Sequence, residues 1–167
     1  DWFGKDKHEL NCDFPNLPYL VDGDTIITEA KSILKYIALK ANRKDLLGGD
    51  DDKKFIEIDI VFNVASDLQN EIIKLVTTKG DFQAEKEESF TDGFTKNRLE
   101  ALSKKLGDKE WLTGSVSIAD IFLAELLDLI HDIDTVKFEG YKNLVAFRAR
   151  FLALPQIKAF RESEEFK

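Results

Sequence analysis

Asp13-Phe14-Pro15-Asn16-Leu17-Pro18-Tyr19-Leu20-Val21-Asp22-Gly23, followed after a short gap by Ile27-Thr28-Glu29-Ala30, is the stretch that decides the fold. Pro15 and Pro18 each remove a backbone donor and push Phe14 and Leu17 toward extended conformations, so the run cannot be helix. Asn16-Leu17 is thereby presented as a rigid extended dipeptide. Tyr19-Leu20-Val21 and Thr25-Ile26-Ile27 are short β runs on either side of the turn chemistry of Asp22-Gly23-Asp24, which predicts a hairpin. Thr28 is placed to cap a helix from Glu29 to about Ala41, in which Ile33, Leu34, Ile37, Ala38 and Ala41 recur at helical spacing. The free N–H groups of that helix's first turn favour an anionic ligand group, and a peptide laid beside Leu17 can pair with its backbone.

Further along, Gly48-Gly49 after Leu46-Leu47 punctuates the chain, and Asp50-Asp51-Asp52 sets negative charge where the dipole of the next helix favours it. The expected division is a first domain over residues 1–43 and a helical second domain over residues 44–167. The first supplies a loop, one hairpin and one helix; an isolated two-stranded hairpin is marginal in water, so it needs further strands or a partner. The second carries amphipathic patterns for a long helix from about Asp51 to Thr77 and another from about Lys86 to Leu106. A buried helix from Ser117 to His131, one from Tyr141 to Ala153 and a last from Pro155 complete an antiparallel bundle with short loops. Ser117 with Asp120 is a capping box leading into Ile121-Phe122-Leu123-Ala124, and its loss costs roughly 1 kcal/mol or more.

Of the 167 residues, 34% are charged and the formal net charge is −8, with both signs spread through the helices. That excludes the basic surface a nucleic-acid binder needs. The single Cys12 excludes an internal disulfide framework, and no run of about 18 apolar residues is present to span a membrane. No secretory signal is read, so the expected location is cytoplasmic. No metal site is expected either: the acidic triplet reads as a helix cap on a linker, and neither His8 nor His131 has a cysteine or second histidine at ligand spacing. Cys12 is expected to be a small buried apolar residue.

The order of Trp2, a lysine shortly after it, the Asp13 to Leu20 run, Asp22-Gly23, Ile27-Thr28-Glu29 and a Leu34-Lys35-Tyr36-Ile37-Ala38 helix resembles the mu class of cytosolic glutathione transferases, with sigma-like enzymes as near relatives. The resemblance continues through Phe62-Asn63, Asp67, Glu110-Trp111-Leu112-Thr113-Gly114 and Ser117-Ile118-Ala119-Asp120, and so covers essentially the whole chain. It implies an α+β, mostly α fold: a partial thioredoxin-like N-terminal domain of hairpin plus helix, then an all-α C-terminal bundle of about five helices. It implies glutathione as a substrate, with no metal.

The same resemblance implies a site. Trp2 would offer its indole N–H to the glycine carboxylate of glutathione, and Lys5 or Lys7 would pair with that group, a one-residue insertion before Phe14 leaving both open. Leu17 would pair its backbone with the cysteinyl unit across a cis Leu17-Pro18 bond, with Asn16 beside it. Glu29 stands where the mu pattern has glutamine and would accept from the γ-glutamyl ammonium, and Asp67 would reach that ammonium across a dimer interface. Ala30 replaces a serine whose hydroxyl and backbone N–H bind the γ-glutamyl carboxylate, which removes a charge-assisted hydrogen bond of on the order of 1.5–3 kcal/mol. Thr77, with Thr78, occupies the place of a second tyrosine that helps bind or protonate the electrophile. Phe14 would insert as a key into an apolar pocket of another subunit, giving a two-fold homodimer.

The resemblance also puts a strand, a helix and another strand ahead of Trp2, the first carrying the tyrosine that lowers the thiol pKa of glutathione. None of Tyr19, Tyr36 and Tyr141 occupies that place, so no catalytic residue is assigned in this chain. The chain also stops at Lys167, short of the tail that walls the family's electrophile pocket. Two functions fit the residues: an enzyme that adds the glutathione thiolate to hydrophobic electrophiles, and a non-catalytic relative serving as a structural subunit of a larger assembly. Trp2, the lysines, Asn16, Leu17, Pro18, Glu29 and Asp67 favour the first; Ala30 and Thr77 favour the second.

Overall fold

The computed structural model describes residues 1–166, which divide into two compact units, Asp1–Asp50 and Asp51 onward. In the first unit a π-helical turn, Trp2–Asp6, runs into the short α1, Lys7–Glu9. The sequence predicts loop here; the turn forms because the Asp1 carboxylate accepts from Gly4 N–H at 3.2 Å and its carbonyl accepts from Lys5 and Asp6. Strands β1, Tyr19–Asp22, and β2, Thr25–Thr28, pair antiparallel with Tyr19 opposite Thr28 and Asp22 opposite Thr25. Gly23 supplies the positive φ of +60° that this tight turn requires.

Helix α2, Ala30–Lys40, follows at once. The expectation that Thr28 caps it is corrected: Thr28 belongs to β2, so the change of direction falls on Glu29, which takes the cap position at φ 69° and makes no side-chain cap bond. A 3-10 turn, Lys44–Leu47, ends at Gly48 in a left-handed conformation. Cys12 is half-buried in this unit rather than buried, because it lies in the loop between α1 and the hairpin, away from the apolar stripe of α2.

The second unit is all helix: α3 Asp52–Val76, α4 Phe82–Thr91, α5 Phe94–Leu106, α6 Ile118–Ile133, α7 Thr135–Phe138, α8 Lys142–Leu152 and α9 Pro155–Glu162. The cap role read for the acidic triplet is performed by Asp51, whose carboxylate accepts from Lys53 and Lys54 N–H at 2.9 and 3.1 Å. The single helix expected from Lys86 to Leu106 is two helices. It begins earlier, because Asp81 caps Gln83 and Ala84, and it breaks at Asp92-Gly93, whose N–H groups both turn back to the Glu88 carbonyl. A side chain at Gly93 would place its Cβ 2.8 Å from Ser89 Cα, so glycine alone fits the break. The short α7, for which the sequence predicts no helix, is capped by Asp134, which accepts from Lys137 N–H.

Helix α6 runs through the centre of this unit, with Ala119, Leu123, Leu127 and Ile130 fully buried against Phe62, Leu68 and Ile72 of α3 and Phe147 of α8 in one apolar core. Its start is fixed by the capping box. The buried Asp120 carboxylate accepts from Leu112 N–H at 2.9 Å, Ser117 N–H at 2.9 Å and the Ser117 hydroxyl at 2.6 Å. Burial pushes the Asp120 carboxyl above the ordinary carboxylate range against the pull of these donors. Near the other end of α6, Asp128 receives Arg148 of α8 and Arg161 of α9. Partial burial raises this carboxyl, and the two guanidinium groups outweigh that and hold it below its usual value. No helix among the described residues is long and apolar enough to cross a membrane.

Two stability measurements follow. Asp120→Ala orphans buried backbone donors at Leu112 and Ser117 and is expected to lower unfolding free energy by about 2–4 kcal/mol in denaturant titration. Asp128 has a depressed folded pKa, so its contribution is present above the unfolded carboxylate value of about 4 and lost as pH falls through the folded one. Stability of the natural protein should therefore fall more steeply below about pH 4 than that of Asp128→Asn; parallel curves would remove the guanidinium pairs from the account.

Candidate functional site

In the first unit the Pro-bounded dipeptide is held by its own side chain. Asn16 Oδ1 accepts from Leu17 N–H at 3.0 Å, and Asn16 Nδ2 donates to Glu29 Oε1 at 3.2 Å. The Leu17-Pro18 peptide is cis. Just beyond it, Tyr19 stacks on Trp2 with ring centroids 5.9 Å apart and planes 19° from parallel. These contacts link Trp2, Asn16, Leu17, Pro18 and Glu29, with Ala30 opening α2 directly after Glu29. Glu29 is a non-glycine residue at φ 69°, a conformation that surrounding structure must hold in place. The first turn of α2 contains no acidic residue and has no side-chain cap, so its N–H groups face no protein carboxylate there.

A second set of bonds anchors this arrangement. Asp22, at the hairpin turn, accepts from the Tyr36 hydroxyl at 2.6 Å and pairs with Lys40 Nζ at 2.8 Å, both on α2. The hydrogen bond from Lys40, then that from Tyr36, hold the Asp22 carboxyl below its usual range. Bonding to Asp22 in turn pushes the Tyr36 phenol up, which keeps it protonated. Of the two candidate lysines, Lys5 lies 3.7 Å from Glu9, and Lys7 is half-buried on α1. Phe14, on the same loop as Asn16, is 77% exposed.

In the second unit, Asp67 stands on α3 with 58% of its side chain exposed and Oδ2 3.8 Å from Arg98 Nη2 of α5. Thr77 closes α3, and its hydroxyl donates to the Ile73 carbonyl at 2.7 Å. Between α3 and α5 lies an apolar cavity of about 260 Å³ lined by Ile60, Val61, Val64, Ala101 and Leu102. Glu57 and Lys105 also line it and are paired with each other at 2.7 Å.

The model of the glutathione S-transferase C-terminal domain matches residues 66–164. Glutathione S-transferase Mu 4 of Mus musculus is 33% identical over 162 residues, covering 96% of this chain and 71% of the relative. This chain belongs to the glutathione S-transferase family. Glutathione S-transferase Mu 3 of Homo sapiens is likewise 33% identical, over 96% of this chain and 68% of its own length. The pi-class glutathione S-transferase of Onchocerca volvulus superposes with a TM-score of 0.80 at 24% identity, covering 95% of this chain and 74% of that one, and shares the fold. The partial thioredoxin-like unit followed by a helical C-terminal bundle is thus the arrangement of this glutathione S-transferase.

Within the family frame, the residues that sequence reasoning singled out fall into two groups. In the first unit Asn16 bonds Leu17 and Glu29, which Pro18 and Ala30 follow in sequence, and Trp2 stacks on Tyr19, while in the second Asp67 stands on α3 and Thr77 at its end. Sequence reasoning missed Arg98, whose partner Asp67 is remote in sequence and on a different helix, so no local spacing announces the pair. It also passed over the Asp22, Tyr36 and Lys40 cluster, although Tyr36 and Lys40 are one helical turn apart and face the hairpin turn.

Proposed function

We propose that this glutathione S-transferase adds the thiolate of glutathione to hydrophobic electrophiles, as a two-fold homodimer in the cytoplasm. The observation that carries the reading is the Asn16 amide, which bonds both Leu17 N–H and Glu29 and so presents an extended dipeptide beside an uncapped helix start. In this reading the γ-glutamyl carboxylate takes the first-turn N–H groups of α2, where the helix dipole favours an anion. Its ammonium takes Glu29 and Asp67 of the other subunit. The glycine carboxylate takes the Trp2 indole N–H and Lys5 or Lys7; Lys7 has no competing carboxylate partner among the described residues, whereas Lys5 faces Glu9.

The cysteinyl unit lies along Leu17. Because Leu17 N–H is donated to Asn16 Oδ1, the pairing runs through the Leu17 carbonyl unless the Asn16 amide swings aside. In the mu class, which this chain resembles, the thiol-activating hydroxyl belongs to a tyrosine on a strand ahead of the position that matches Trp2. Tyr36 is unsuited to that role, since its own proton is held by Asp22. Thr77 carries no acid function toward an electrophile in this reading, its hydroxyl being engaged at the end of α3. The apolar cavity between α3 and α5 is the socket for Phe14 of the other subunit, matching an exposed aromatic to an apolar hole.

Titration of the full-length protein with glutathione, followed by conjugation to a chloronitrobenzene, tests the function. Micromolar to low-millimolar binding with turnover is expected, and Ala30→Ser should tighten glutathione by about tenfold or more by restoring a charge-assisted bond. No heat and no turnover would leave a fold kept for assembly alone. For the dimer, Phe14→Ala is expected to shift sedimentation to the monomer at concentrations where the natural protein is dimeric; an unchanged sedimentation coefficient would remove Phe14 as the anchor.

A further inference from the structure

Arg98 is an arginine held in place on two sides. Its guanidinium lies over the Phe94 ring, 4.7 Å from the centroid. Its Nε is buried and has no hydrogen-bond partner. A sealed donor without an acceptor lowers stability, and a methionine of similar length would pack there without that penalty. The one carboxylate paired with this guanidinium among the described residues is Asp67, Nη2 to Oδ2 at 3.8 Å. That distance marks an ion contact rather than a hydrogen bond. As a half-exposed pair it contributes little to fold stability.

We propose that Arg98 is a positioning residue for glutathione: it holds the Asp67 carboxylate so that its other oxygen meets the γ-glutamyl ammonium bound by the partner subunit. The inference rests on the glutathione reading above. Asp67 is the more exposed of the two side chains and is otherwise free to change rotamer, whereas Arg98 is fixed by its stack and its buried stem. Pairing with a fixed cation removes that freedom before the ligand arrives, so less ordering opposes binding. The guanidinium does not defeat the ammonium. With the carboxylate between them the two cations stand at about twice the distance at which each attracts the anion, so attraction outweighs repulsion.

Glutathione is varied at saturating electrophile for the full-length natural protein, Arg98→Met, Asp67→Asn and the double variant, with melting temperature recorded for each. Arg98→Met keeps the aliphatic stem, gives up the guanidinium's stack on Phe94 and removes the unpartnered Nε, so the fold should persist. Its KM for glutathione is expected to rise about threefold to tenfold at constant kcat, and to have no further effect in the Asp67→Asn background. A merely structural arginine would instead shift melting temperature or kcat, and would act independently of Asp67. If Asp67→Asn raises KM while Arg98→Met leaves it unchanged, or multiplies fully with it, the positioning role is overturned and the glutathione reading stands. If Asp67→Asn leaves KM unchanged in an active enzyme, the Asp67 assignment and this inference are overturned together. Absence of any glutathione turnover overturns the underlying reading and this inference with it.

Discussion

Everything in the helical unit is hung on α6, and α6 begins where it does because a buried carboxylate collects three donors. Asp120 takes N–H groups from the Trp111-Leu112 turn and from Ser117, and the Ser117 hydroxyl as well. The same carboxylate therefore caps a helix and ties down the turn before it, where Trp111 packs edge-on against Phe147 at 5.7 Å. A helix buried over most of its surface, with only Glu125, Leu129 and Asp132 exposed, must be packed on several sides. Helices α3 and α8 cover it, which in turn fixes the line along which α3 presents Asp67 and Thr77. The polar contact is not strong in its own right; its importance comes from where a helix with a wholly buried face is allowed to start.

The smaller unit solves a different problem with prolines and charges. Two strands and one helix bury little, and the Asp22 bonds to Tyr36 and Lys40 supply a polar tie between hairpin turn and helix that the thin apolar layer does not. Lys40 is exposed and Asp22 and Tyr36 only half-buried, so the value of these groups lies in orientation more than in net stability. What they orient is the start of α2, where Glu29 adopts positive φ and Ala30 leaves only backbone donors for an anion. A glutamate bridged to Asn16 and a missing hydroxyl shift the proposed γ-glutamyl pocket toward reading the ammonium rather than the carboxylate.

The hairpin, α2, α3 and the α6 cap were legible because each is announced by short-range chemistry: prolines before β1, Asp22-Gly23 at the turn, Asp51 and Ser117 at helix starts. What escaped was decided by contacts that spacing does not report. Gly93 reads as one weak residue inside a helical pattern, yet its packing against Ser89 leaves no room for a side chain and splits the helix. Thr28 looks like a cap and is instead held in β2 by its pairing with Tyr19, which moves the cap to Glu29. The N-terminal π-helical turn depends on Asp1 serving both as side-chain cap and as carbonyl acceptor, with no apolar period to signal it. Arg98 and Asp67 meet only because α3 and α5 pack side by side.

In the proposed dimer the binding site and the interface are one piece of construction. Phe14 and the Asn16-Leu17 dipeptide are separated by Pro15 alone, whose ring allows little play between them. An anchor seated in the α3–α5 cavity of the other subunit therefore constrains the dipeptide that faces the thiol. The same cavity wall is built from Ile60, Val61 and Val64, a turn before Asp67 on α3. Docking Phe14 on that helix and lending Asp67 to the neighbouring site are then two consequences of a single packing event, with Arg98 of α5 keeping the carboxylate aligned. A subunit that lost its anchor would lose, at once, the order of its own loop and the carboxylate supplied by its partner.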